Sequence, residues 1–122
     1  MRFTQDQTSS VNVIRGYAEG EIRINADVYH RALIVAADAV REEPALLDIA
    51  DLAGEHVSRI LELKPELVLL GTGRRQIFPH AAFGARFLQA GIGFEVMDTG
   101  AACRTFNVLV GEQRQVVALL FV

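Results

Sequence analysis

The chain closes on an unbroken apolar run, Val116 to Val122, reading Val-Val-Ala-Leu-Leu-Phe-Val directly after Gln115. A strand of that composition has no polar face to offer water, so it must be covered on both sides. The fold therefore needs a sheet with a layer on each face. The residues before the run supply such layers by alternating two kinds of periodicity.

Val57, Ile60 and Leu61 recur at helical spacing and predict a helix from about Asp51 to Leu63, stopped by Pro65. Glu66 to Leu70 is a short apolar strand closed by Gly71-Thr72-Gly73. After Pro79, Phe83, Phe87 and Leu88 share a face, and a second helix runs to about Ala90 with Gly91 as its C-cap. Ile92 to Met97 follows as a strand. A third helix starts after Asp98 or Thr99, both good N-caps, buries Ala102, Phe106 and Leu109, and ends near Gly111. Strands alternating with helices imply parallel pairing through right-handed crossovers.

The first half has a different rhythm. Val11 to Tyr17 and Glu21 to Asn25, around a turn at Glu19 and Gly20, read as a hairpin. Tyr29 to Ala36 reads as a third strand, with a buried helix as the alternative, and residues 37–50, with Pro44 and the charges of Arg41, Glu42 and Glu43, read as a solvated connection. The expected fold is α/β: a compact three-layer single domain over residues 1–122. Its mixed sheet has parallel C-terminal strands with helical crossovers, and the antiparallel N-terminal strands extend or cover it.

At 122 residues the chain is long enough to bury roughly two thirds of its unfolded surface without staples. Its net charge of −3 is spread without a basic run, which argues against nucleic acid as a partner. One cysteine excludes an internal disulfide and a cysteine-rich metal cage. His30, His56 and His80 lack metal-ligand spacing, so neither a metal nor any other cofactor is expected. No stretch approaches the ~18 apolar residues of a membrane span, and Met1 to Ser10 has no apolar signal region. The expectation is a cytoplasmic protein, prokaryotic or already processed, with peripheral membrane association left open and oligomeric state unread.

Chemistry, if present, belongs at the carboxyl ends of the parallel strands, where helix N-termini converge. There Gly71, Gly73, Arg74 and Arg75 would face Thr99 and Arg104, a set suited to a small anion. The plainer reading, a tight turn with solvated arginines, is preferred, because the third glycine of a dinucleotide fingerprint is replaced by Gln76 and no P-loop is present. Cys103 near a helix start, beside Arg104, is a candidate nucleophile, with His80 as the one histidine on that side and Asp98 as a candidate base. Against this, a free cysteine usually packs as a small apolar residue, and a carboxylate before a helix is usually its cap. No catalytic residue is assigned.

The segment from Pro65 to Gly73, Pro-Glu-Leu-Val-Leu-Leu-Gly-Thr-Gly, together with Glu95 to Asn107, Glu-Val-Met-Asp-Thr-Gly-Ala-Ala-Cys-Arg-Thr-Phe-Asn, and a closing strand, is similar to a known family. It resembles the small domain-of-unknown-function family that includes mitochondrial respiratory complex I assembly factor three, with archaeal and bacterial single-domain members and an animal adipogenesis-associated protein. Gly71, Gly73, Asp98, Thr99, Cys103, Arg104 and Asn107 match its motif positions. The resemblance implies a compact α/β fold, no established enzymatic activity and no known cofactor. It also implies protein partners, such as respiratory-complex assembly proteins or subunits. The leading reading is a non-enzymatic protein-binding module; the alternative is a small anionic-ligand site, or an enzyme, at the Gly71–Arg75 loop and the Thr99 helix start.

Overall fold

The computed structural model describes residues 11–122; residues 1–10 of the expected 1–122 domain lie outside the described residues. Strands β1 (Ile14–Ala18), β2 (Glu21–Ile24) and β3 (Asp27–Tyr29) form an antiparallel sheet of their own. A five-stranded mixed sheet follows the order β5-β4-β8-β6-β7, with β4 (Leu33–Ala36), β5 (Ala39–Glu42), β6 (Leu67–Thr72), β7 (Gly93–Met97) and β8 (Val116–Phe121). β8 is the central strand, parallel to β6 and antiparallel to β4. All six of its residues are buried, as the apolar run requires.

Three helices complete the chain: α1 (Gly54–Leu61), α2 (Ala81–Gln89) and α3 (Thr99–Gly111). One face of the large sheet packs Val68, Leu70, Val117 and Leu119 against Val57 and Ile60 of α1 and Phe83 and Phe87 of α2. The other packs Leu69, Ala118 and Leu120 against Ala102 and Phe106 of α3 and Ile14, Ile22 and Ile24 of the small sheet. These are the three expected layers, and the N-terminal hairpin covers the sheet beside α3 while β4 and β5 extend it.

Three sequence expectations are corrected. The stretch Tyr29 to Ala36 is not one strand: β3 belongs to the small sheet and β4 to the large one, with exposed His30 and Arg31 making the step between them. Residues 37–50 are not merely a connection, because β5 pairs with β4 across a two-residue turn, Ala36 opposite Ala39. Its exposed Arg41 and Glu42 look like a loop in sequence because β5 is an edge strand, where charge guards against further pairing. The first helix begins at Gly54 rather than Asp51, since the Asp51 carboxylate is engaged in a short 3-10 turn, accepting from Asp48 N at 3.0 Å.

β6 also runs two residues further than expected, through Gly71 and Thr72. A side chain at Gly71 would lie 3.0 Å from Ala102 Cβ, Leu120 Cδ2 and the Thr99 backbone, so glycine here lets α3 sit directly on the sheet. On the far end of α3, Asn107 reads the irregular start of β1. Its Oδ1 accepts from Ile14 N at 2.9 Å, and its Nδ2 donates to Ile14 O at 2.8 Å. The register of β1 against β2 slips between Ile14 and Gly16, so the Asn107 amide satisfies backbone groups that the ladder leaves there.

Candidate functional site

β6 leads into α2 on one face of the sheet, and its neighbour β7 leads into α3 on the other. Where adjacent parallel strands send their connections to opposite faces, a crevice opens at their carboxyl ends. In this chain Thr99 fills it. Gly73 N donates to Thr99 Oγ1 at 2.7 Å, Thr99 N donates to Gly73 O at 2.8 Å, and the Thr99 hydroxyl donates to Phe121 O at 2.7 Å. The start of α3 is capped as well, with Ala101 N donating to the Asp98 carboxylate at 2.9 Å.

The candidate residues divide around this junction. Gly71, Gly73, Asp98 and Thr99 come together at it. Arg74 and Arg75 are exposed, and Arg74 pairs with Glu19 at 3.4 Å. Arg104 folds back over Gly100, its guanidinium 3.5 Å from where a Gly100 side chain would begin. Cys103 is buried with Phe106 beneath the small sheet, whereas exposed His80 stands before α2 on the opposite face of the large sheet. The sheet thus separates the thiol from the histidine.

Burial pushes the Cys103 thiol up to about 11, outweighing the opposing pull of Arg104, while Asp98 pushes the same way. The folded-state value lies above the unfolded one, so this group contributes stability below pH 9.0 that is lost as pH rises toward about 11. A buried neutral thiol is also a slow nucleophile. Labelling of native Cys103 by a disulfide reagent at neutral pH is expected to be at least about 100-fold slower than in the unfolded chain; equal rates would show an accessible thiolate.

A large hollow lies elsewhere, beside edge strand β7. It is a groove of about 650 Å³ between the strand and one face of α2, lined by Phe78, Ala81, Gly84, Leu88, Phe94 and Val96, with Gln76, His80 and Glu95 as the polar residues of its lining. Behind it, the lining residue Phe94 belongs to a packed aromatic group, stacking on Phe87 at 5.5 Å and meeting Phe83 edge-on at 5.8 Å. Gly84 makes this possible, because a side chain there would lie 2.7 Å from the Phe94 ring. Phe78 and Leu88 project from the walls with 69% and 62% of their surfaces exposed.

The loop that presents Phe78 is fixed rather than loose. The Thr72 hydroxyl donates to Arg75 O and accepts from Ile77 N at 3.0 Å, and Gln76 Nε2 donates to Val96 O at 2.9 Å. In sequence, Leu88 falls with Phe83 and Phe87 on a core face, and Phe78 has no assigned role. The available signal was Ile77-Phe78-Pro79, two large apolar residues in a stretch with no helical or strand periodicity. Among the described residues no cluster of histidine, cysteine and carboxylate groups could hold a metal, and no helix is long and apolar enough to cross a membrane.

Comparison with known proteins matches this architecture to relatives along nearly its whole length. A "13 kDa major membrane protein" of Francisella tularensis subsp. holarctica is 29% identical, with 98% of each chain covered. The Danio rerio protein named NADH dehydrogenase [ubiquinone] 1 alpha subcomplex assembly factor 3 is 32% identical over 95% of this chain and 67% of its own. The crystal structure of a Bordetella parapertussis protein superposes with a TM-score of 0.84 at 34% identity, covering 92% of this chain and 96% of that one. Residues 14–121 match the family described as protein of unknown function (DUF498/DUF598), and the chain belongs to that family.

Proposed function

We propose that this chain is a non-enzymatic protein-binding module that assists assembly of a respiratory complex, and that partners dock in the β7–α2 groove. The observation that carries the reading is the exposure of Phe78 and Leu88 on rigid supports around a mostly apolar groove. Burying such side chains against a partner releases roughly 1.5–3 kcal/mol each, while leaving them in water gains nothing. Pre-organised loops also spare the ordering cost of association. The fish relative carries the name of an assembly factor, which favours an assembly partner over a free metabolite.

Purification of the tagged chain from its native cells tests this. Subunits or assembly proteins of NADH dehydrogenase are expected with the wild-type chain and absent with the Phe78→Ser/Leu88→Gln variant. Their absence from the wild-type sample, with the chain itself in excess, would refute the reading.

A second reading, a small-anion site, draws its support from a cleft of about 240 Å³ lined by Arg15, Tyr17, Gly100, Cys103, Arg104 and Asn107. Among the described residues neither Arg15 nor Arg104 is in an ion pair. Amide shifts confined to this cleft on titration with inorganic phosphate, and lost in Arg104→Gln, would favour it; unchanged spectra would end it.

A further inference from the structure

We infer that His56 makes the start of α1 an acid-sensitive latch: with its ring neutral, it holds the first turn of the helix closed, and with its ring protonated, that turn opens. The inference goes beyond the protein-binding reading and does not depend on it.

α1 is poorly equipped to start on its own. It spans only the eight residues Gly54–Leu61, and a helix that short depends on its packing and its ends. Its N-cap is Ala53, which has no side-chain oxygen to offer the free amides of the first turn. Its first residue is Gly54, which loses more freedom than any other residue type on entering a helix. The bond that closes this end comes from the third helical residue. Ala53 N donates to His56 Nδ1 at 3.0 Å, and His56 N donates to Ala53 O at 3.0 Å. A capping box ordinarily places glutamate or glutamine at this position, reaching back to the N-cap amide in the same way. Histidine adds what glutamine lacks: its acceptor is also its proton-binding site.

Because Nδ1 accepts, the proton of the neutral ring resides on Nε2. A second proton can enter only at Nδ1, where it sets two donors, Ala53 N–H and Nδ1–H, against each other. The charged ring would also lie at the positive end of a helix, in a side chain only 6% exposed. Among the described residues no carboxylate is in an ion pair with it.

The charged groups packed about α1 do not relieve this. On α1 itself Arg59 holds Glu55 at 3.2 Å and reaches Glu43, just after β5, at 3.0 Å. In the 3-10 turn before the helix, the Asp51 carboxylate accepts from Asp48 N at 3.0 Å and Leu47 N at 3.3 Å. From α2, Arg86 brings its guanidinium 3.3 Å from where a Gly54 side chain would begin, and His80 lines the same hollow; neither offers a negative charge. The sheet face beneath α1 is apolar. A proton therefore competes with the Ala53 amide for one lone pair, and lowering the pH favours the open turn. Room for the motion exists, because a hollow of about 270 Å³ lies between the start of α1 and α2, lined by Leu52, Ala53, Gly54, Val57 and Phe83. Opening would uncover Val57 and Phe83, both buried in the closed form.

Amide hydrogen exchange followed by NMR tests this on the full chain, with rates corrected for their intrinsic pH dependence. Between about pH 8 and pH 5, where imidazole changes charge, protection of the Ala53, His56 and Val57 amides is expected to fall at least about tenfold. Protection of Leu119 in β8 should hold, and the ring nitrogen shifts of His56 should move in step with the loss. In His56→Gln, which keeps an acceptor at the same position, the Ala53 and Val57 amides should stay protected across the range. His30→Gln and His80→Gln, changes at exposed sites, should leave the response intact. Undiminished protection at pH 5, a response that survives His56→Gln or is carried by His30 or His80, or joint loss of protection in β8 would each overturn the latch. If His56→Gln does not fold, the wild-type chain decides: protection lost as Nδ1 gains its proton supports the latch, and a protonated Nδ1 beside a protected Ala53 amide overturns it.

Discussion

Replacing Thr99 by valine is expected to lower the thermal midpoint on the order of 10 °C, with almost no change in side-chain volume. Valine keeps the shape but removes the oxygen that accepts from Gly73 N and donates to Phe121 O, both at 2.7 Å. Thr99 is fully buried, so the two backbone groups would lose their partner without gaining water. An unsatisfied buried polar group costs about 1–3 kcal/mol, and two together remove a large part of a small domain's stability. Thr99→Ser, which keeps the hydroxyl, should recover most of the loss. A valine variant within about 2 °C of the wild type would mean that the junction between β6, β8 and α3 is not held in this way.

The second large effect concerns binding and leaves stability alone. Phe78→Ser/Leu88→Gln removes two exposed apolar groups without adding charge, and surface changes of this kind usually move stability by less than about 0.5 kcal/mol. If both are anchors of an interface, their joint loss should weaken partner binding by about 100-fold or more. The two measurements together are informative: an unchanged melting curve with lost binding places the effect at the groove. Lost stability with lost binding would point to damage of the packed aromatic group of Phe83, Phe87 and Phe94.

The architecture was largely legible because its signals are local. The apolar run at Val116 to Phe121 announces a covered central strand, and Asp98 announces the start of α3 through its cap. What escaped depends on neighbours distant in sequence. β5 looks solvated until β4 is placed beside it, and the step between β3 and β4 becomes visible only when two sheets exist. Gly71 reads as a turn glycine, but its smallness serves the approach of Ala102 from thirty-one positions away.

The candidate site was less legible for a related reason. Chemistry-bearing residues attract notice in a sequence, so Cys103, Arg104 and Asp98 stood out, although burial keeps the thiol protonated and a capping bond explains the carboxylate. Leu88 looks like a core residue beside Phe87, and Phe78 lies in a stretch without periodicity; the fold exposes both. The helical period correctly put Phe83 and Phe87 inside, yet Leu88, next in sequence, turns outward beside β7.

Whether the groove serves assembly through protein contact is decided in cells lacking the chain. Assembled NADH dehydrogenase would be measured on native gels after re-expression of the wild type, Cys103→Ala or Phe78→Ser/Leu88→Gln, each at matched chain levels. The wild type and Cys103→Ala are expected to restore the complex, while the groove variant restores less than about a tenth. Full restoration by the groove variant, or normal complex levels without the chain, would contradict an assembly role for the groove.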